Sequence, residues 1–145
     1  MSERLLAVFP GLRTTPFRVT SPADRGYNCI AWACGNAAEW WWPLSEGRRT
    51  FWPPDAPREI TLEAFQLAFT LMGFSITDAE ALEASYERIA VFADAAGRPT
   101  HAARQLTSGA WTSKLGQAED IEHNLRALEG DAYGAVALIM KRPAG

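Results

Sequence analysis

A cysteine and a histidine are the residues of this sequence whose types and spacing can do chemistry. Cys29 stands in Tyr27-Asn28-Cys29-Ile30-Ala31-Trp32-Ala33, where a Gly-Tyr-Asn turn runs into a helical pattern. A thiol at a helix start meets backbone N–H groups that have no intrahelical acceptor and the positive end of the helix dipole. Its pKa is therefore expected to fall toward thiolate. His101 follows in Pro99-Thr100-His101-Ala102-Ala103-Arg104-Gln105-Leu106, a strand-like stretch. Nucleophilic catalysis needs such a pair: sulfur to attack a carbonyl, imidazole to move the proton, and the Cys29 N–H to stabilise the oxyanion. The competing reading is a buried, unreactive Cys29, since free cysteine is among the most buried residue types. Cys34 would lie about 140° around the same helix, so it reads as packing and a disulfide with Cys29 is not expected. Two unpaired thiols fit a reducing compartment.

The histidine also needs a group to hold its second ring nitrogen. If His101, Ala103 and Gln105 share one strand face, Ser113 on the next strand is the expected orienter. Asp120 and His123, in Glu119-Asp120-Ile121-Glu122-His123, are the alternatives, read here as the start of a third helix whose acids also suit a solvated first turn. The two cysteines and two histidines lack the short ligand pairs of zinc motifs, so no metal and no cofactor is expected. Trp40-Trp41-Trp42-Pro43 and Phe51-Trp52-Pro53-Pro54 cannot all face one core from a helix. They read either as a platform for a glycan, peptide or protein partner or as core covered by the following loop. Asn28, Trp32, Trp41, Trp42 and Trp52 are the expected substrate contacts, and Asn28 is also an N-cap.

These residues must be positioned by one domain, for 145 residues of which 48% are hydrophobic bury one substantial core and not two. A formal net charge of −3 gives no excess of basic groups for a phosphate backbone, so nucleic acid is not an expected partner. Five apolar residues before Pro10 do not make a secretory signal, and no apolar run reaches the ~18 residues of a membrane span. A cytoplasmic location is expected, with signal-independent export left open.

Proline-rich residues 5–24 read as an extended arm with a short strand at 17–19. A helix is expected from Cys29 through Trp41 to Pro43, then a loop over 44–57. A second helix over 62–72 is capped by Thr61 and stopped by Gly73. A short edge strand at 74–76 and a helical turn near 79–84 follow. Strands are then expected at 88–93, 100–106 and 110–115, a third helix over 116–128, and a last strand over 133–140. Helices followed by an antiparallel meander give an α+β fold, N-terminal helices packed on a small sheet.

Asn28-Cys29 with Trp32 one turn later, His101 heading the second strand, and Ser108-Gly109-Ala110-Trp111-Thr112-Ser113 leading into the third together resemble the papain-like cysteine hydrolases of NlpC and CHAP type. The resemblance spans Tyr27 to Leu115. It implies an NlpC-type papain-like domain cleaving an amide or related acyl bond of a peptide, protein or small amide. Serine departs from the histidine, asparagine or acid usual in that family's third position. The Tyr-Asn-Cys-Ile-Ala-Trp-Ala and Thr-His-Ala-Ala-Arg-Gln elements also resemble an uncharacterised bacterial family, which implies no activity. The alternative function is a non-catalytic module of the same fold that binds a protein or glycan through its tryptophan-rich loop.

Overall fold

The structure is a computed structural model and describes residues 3–21, 27–35, 39–44, 50–78, 81–115 and 120–144. Its frame is one antiparallel sheet of β1 (Arg18–Ser21), β2 (Ser75–Thr77), β3 (Tyr86–Ala93), β4 (Pro99–Gln105), β5 (Trp111–Lys114), β6 (Asp120–His123) and β7 (Ala135–Pro143). Across the sheet the order is β1-β6-β5-β4-β3-β7-β2. Among the described residues the helices are three and short: α1 (Glu3–Val8), α2 (Cys29–Ala33) and α3 (Leu62–Leu71). The expected α+β arrangement of papain-like, NlpC type, with helices packed on a small sheet, is therefore corrected to a sheet-dominated fold.

Local sequence explains where the expectation fails. Gly35, at φ +84, ends α2 far short of Trp41, because a left-handed residue cannot continue the helix. The third helix over 116–128 is replaced by β6 and a 3-10 turn at Leu125–Leu128. Ile121, Leu125 and Leu128 had mimicked a helical period because a strand and a turn send them into one core. The arm holds α1 and a 3-10 turn at Pro10–Arg13, which bury Leu5, Phe9 and Leu12 on that core. The expected features at 22–24, Ala37, 45–49 and 116–119 lie outside the described residues. So do Ala79 and Glu80 of the helical turn near 79–84; of its remaining residues Ala81 is a bend and Ala84 begins a turn.

Elsewhere the local signals act as physics requires. Thr61 caps α3 by accepting a hydrogen bond from the Ala64 N–H, and Gly73 follows it at φ +97. Phe65 of α3 then packs against Trp52 and Trp42, with ring centroids 5.0 and 5.5 Å away. Because strand side chains alternate, the sheet separates two cores. Ile89, Val91, Ala102 and Met140 meet α2 and α3 on one face. Ala90, Phe92, Ala103, Trp111 and Ile121 meet α1 and the two 3-10 turns on the other.

Candidate functional site

Asn28 fixes the start of α2 twice over. Its Oδ1 accepts from the Ala31 N–H at 3.2 Å and from the Trp41 N–H at 3.0 Å, while its Nδ2 donates to the Trp41 carbonyl at 2.6 Å. Cys29 thus opens α2 with little freedom. Its thiol receives backbone hydrogen bonds from Ala102, Ile30 and Cys29 itself. Ala102 is available because the β4–β5 ladder runs only through Arg104↔Thr112 and Gln105↔Trp111, and α2 packs against β4.

Next to Ala102 in the chain, His101 points to the opposite face. It pairs across the ladder with Phe92 and is wholly buried. The Tyr133 ring stacks on the imidazole at 4.1 Å and an interplanar angle of 6°. Gly134 makes that stacking possible. At φ +79 it backs so closely onto β3 that a Cβ would lie 1.9 Å from the Ala93 carbonyl oxygen.

Beyond the last β4–β5 ladder pair, His101 Nε2 lies 2.8 Å from the Ser113 hydroxyl, which is 2.7 Å from His123 Nε2. His123 Nδ1 is 2.8 Å from the Asn124 carbonyl oxygen. Only His101 Nδ1 in this buried chain has no hydrogen-bond partner. Thiol and imidazole thus meet β4 at adjacent residues, Ala102 and His101, on opposite faces, and share no hydrogen bond.

Burial decides the charge states. It pushes the Cys29 thiol up to about 11, outweighing the backbone hydrogen bonds and the Lys114 charge that pull it down. The expected fall toward thiolate is thereby corrected, for five residues of helix and a few N–H groups do not offset desolvation. Cys34 is pushed up further, to about 12, again by burial. Burial holds His101 well below its ordinary value, with His123 adding to the effect, and lowers His123 to about 4. The resting site is thus a neutral thiol beside neutral imidazoles.

Residues 18–141 match the family described as "Domain of unknown function (DUF7689)". The chain belongs to this family. The resemblance to papain-like NlpC and CHAP hydrolases and to their uncharacterised bacterial branch is corrected by that match together with the seven-stranded sheet. It had rested on two short motifs and on the order of α2, β3, β4 and β5, which is present here inside a sheet-dominated fold. No curated protein and no solved structure matches the chain.

Within this DUF7689 domain, the remaining residues singled out from sequence divide by face. Asp120 is on β6, buried on the α2 side, where its Oδ2 accepts from the Tyr27 hydroxyl at 2.8 Å and its Oδ1 has no partner. Trp32 is half-buried, donates to Thr112 Oγ1 at 3.3 Å and lies beneath the Arg104 guanidinium, 4.4 Å from the ring centroid. Trp41 and Trp52 are buried in the α2 core with Trp42 packed against it, and Trp52 donates to the Pro57 carbonyl at 2.9 Å. Sequence reasoning passed over Tyr133 and the fully buried Lys114, whose ammonium sits 5.1 Å from the Tyr27 ring centroid. The Gly130–Gly134 bracket around Tyr133 was the available signal; a lysine inside a buried strand gave none. Among the described residues no group of three or more His, Cys, Asp or Glu side chains is placed to hold a metal ion. None of their helices is long and apolar enough to cross a membrane.

Proposed function

We propose that this protein is a cysteine-dependent acyl hydrolase, with Cys29 as nucleophile, His101 as general base and acid, and Ser113 as the group that holds the imidazole. The observation that carries the reading is the pairing of a capped, helix-start thiol with a histidine fixed through Nε2 and unpartnered at Nδ1, one residue from the N–H that bonds the thiol. A neutral thiol and neutral imidazole call for general-base attack rather than a standing thiolate–imidazolium pair. Cys29 Sγ bonds to the carbonyl carbon of an amide or related acyl compound as its proton passes to His101 Nδ1. The proton then leaves with the amine, and water hydrolyses the thioester with His101 again as base. The N–H groups of Cys29 and Ile30, which have no intrahelical acceptor and meet the thiol at rest, pass to the oxyanion as the sulfur is acylated. Both cysteines are free, which suits an enzyme of the cytoplasm or another reducing compartment.

The test is acylation by p-nitrophenyl acetate. The reading expects a burst of p-nitrophenolate and an acetyl group mapped by mass spectrometry to Cys29, both abolished in Cys29→Ser. His101→Gln should slow the burst by about 100-fold, the smaller end of general-base contributions. No acetyl group on Cys29, or a burst indifferent to His101→Gln, would refute it.

A further inference from the structure

The register places the two histidines on one face with Ser113 between them. Trp111↔His123 and Ser113↔Ile121 pair across β5 and β6, so Ser113 and His123 share the face on which His101 lies. The hydrogen-bond polarity of His101–Ser113–His123 is then dictated from its far end. A carbonyl oxygen only accepts, so the His123 Nδ1 facing the Asn124 carbonyl carries a hydrogen. The buried His123 ring is neutral, which leaves its Nε2 bare to accept from the Ser113 hydroxyl. The Ser113 oxygen must then accept from His101, whose Nε2 carries the hydrogen and whose Nδ1 keeps a lone pair. Tyr133 holds the plane of the ring by stacking.

We infer that His123, acting through Ser113, is a positioning residue that fixes His101 as its Nε2–H tautomer and so keeps the Nδ1 lone pair. The tautomer stands on the hydrogen-bond geometry alone; use of that lone pair to take the Cys29 proton rests on the hydrolase reading. A carboxylate orienter would stabilise a charged imidazolium in place; a neutral serine–histidine pair sets the tautomer without that charge. His123 also lines a cavity of about 260 Å³ with Arg18, Glu122 and Asn124.

Long-range proton–nitrogen NMR spectra of the ¹⁵N-labelled protein near neutral pH read both tautomers directly. Wild type should show opposite tautomers, Nε2–H on His101 and Nδ1–H on His123. His123→Leu and Ser113→Ala, checked for folding by their amide spectra, should each let His101 populate a second tautomer. His123→Gln keeps an acceptor facing Ser113. It should preserve the His101 tautomer. An Nε2–H tautomer on His123, or a His101 tautomer unmoved in both Leu and Ala variants, would overturn the inference. The wild-type spectrum alone decides it if the variants do not fold. Opposite tautomers with Cys29 labelled by iodoacetamide no faster than Cys34 would overturn the hydrolase reading and support the positioning role.

Discussion

The two faces of the sheet each leave a buried polar atom without a hydrogen bond, in different surroundings. On the α2 face, Lys114, Asp120 and Tyr27 bury ionisable groups around Cys29, and one carboxylate oxygen of Asp120 goes without a hydrogen bond. On the other face, His101, Ser113 and His123 form a single file in which every ring nitrogen and the hydroxyl are engaged except His101 Nδ1. Leaving a buried polar atom unmatched costs about 1–3 kcal/mol. A file satisfied at every other atom that ends in one bare nitrogen is therefore a specific arrangement, and its free end is where the proposed chemistry is expected. The α2 face anchors and polarises; the histidine face supplies a lone pair.

The most severe way to break this comparison is Gly134→Ala. A Cβ 1.9 Å from the Ala93 carbonyl at positive φ forces the 130–134 turn off β3 and takes Tyr133 from the imidazole. Calorimetry should show a loss of more than about 4 kcal/mol.

Acid should weaken the histidine face next. His123 titrates at about 4 folded against 6.5 unexposed to such burial, so the unfolded chain binds the proton first as pH falls. Its contribution is complete above pH 6.5 and is lost on descent to about 4, a total on the order of 3 kcal/mol. His101, lowered by the same cause, adds loss of the same sign. Denaturant melts across this window should show the slope, and His123→Gln should flatten it.

Ser113→Ala should cost roughly 2–3 kcal/mol because it strands a nitrogen on each histidine. Tyr27→Phe, which removes one donor from Asp120 Oδ2, should cost about 1 kcal/mol. Equal losses in the two variants, measured in urea, would erase the distinction between a file and separate contacts.

Much of this was legible where a local rule acts alone. Asn28 and Thr61 cap as side-chain oxygens at helix starts do, and the buried runs of β3, β4 and β5 are set off by Gly97 and Gly109 in their turns. Reading failed where one periodicity was shared by two elements, as in Ile121, Leu125 and Leu128, which span β6 and a turn. It failed again where a long-range partner decides. Nothing near Tyr133 in sequence announces a histidine beneath its ring, and the burial that raises the Cys29 pKa comes from segments distant in the chain. The tryptophans show the same limit. Asn28 ties Trp41 to the α2 start through both of its amide atoms, a contact that no spacing rule contains.

Whether Cys29 loses its proton to His101 is read from the pH dependence of iodoacetamide labelling at each cysteine, followed by mass spectrometry. Cys29 should be labelled faster than Cys34 near neutral pH although burial pushes the two thiols up to about 11 and about 12. His101→Gln should remove this advantage while leaving Cys34 unchanged. Equal labelling of the two thiols in the native protein, or a Cys29 rate untouched by His101→Gln, would contradict that transfer.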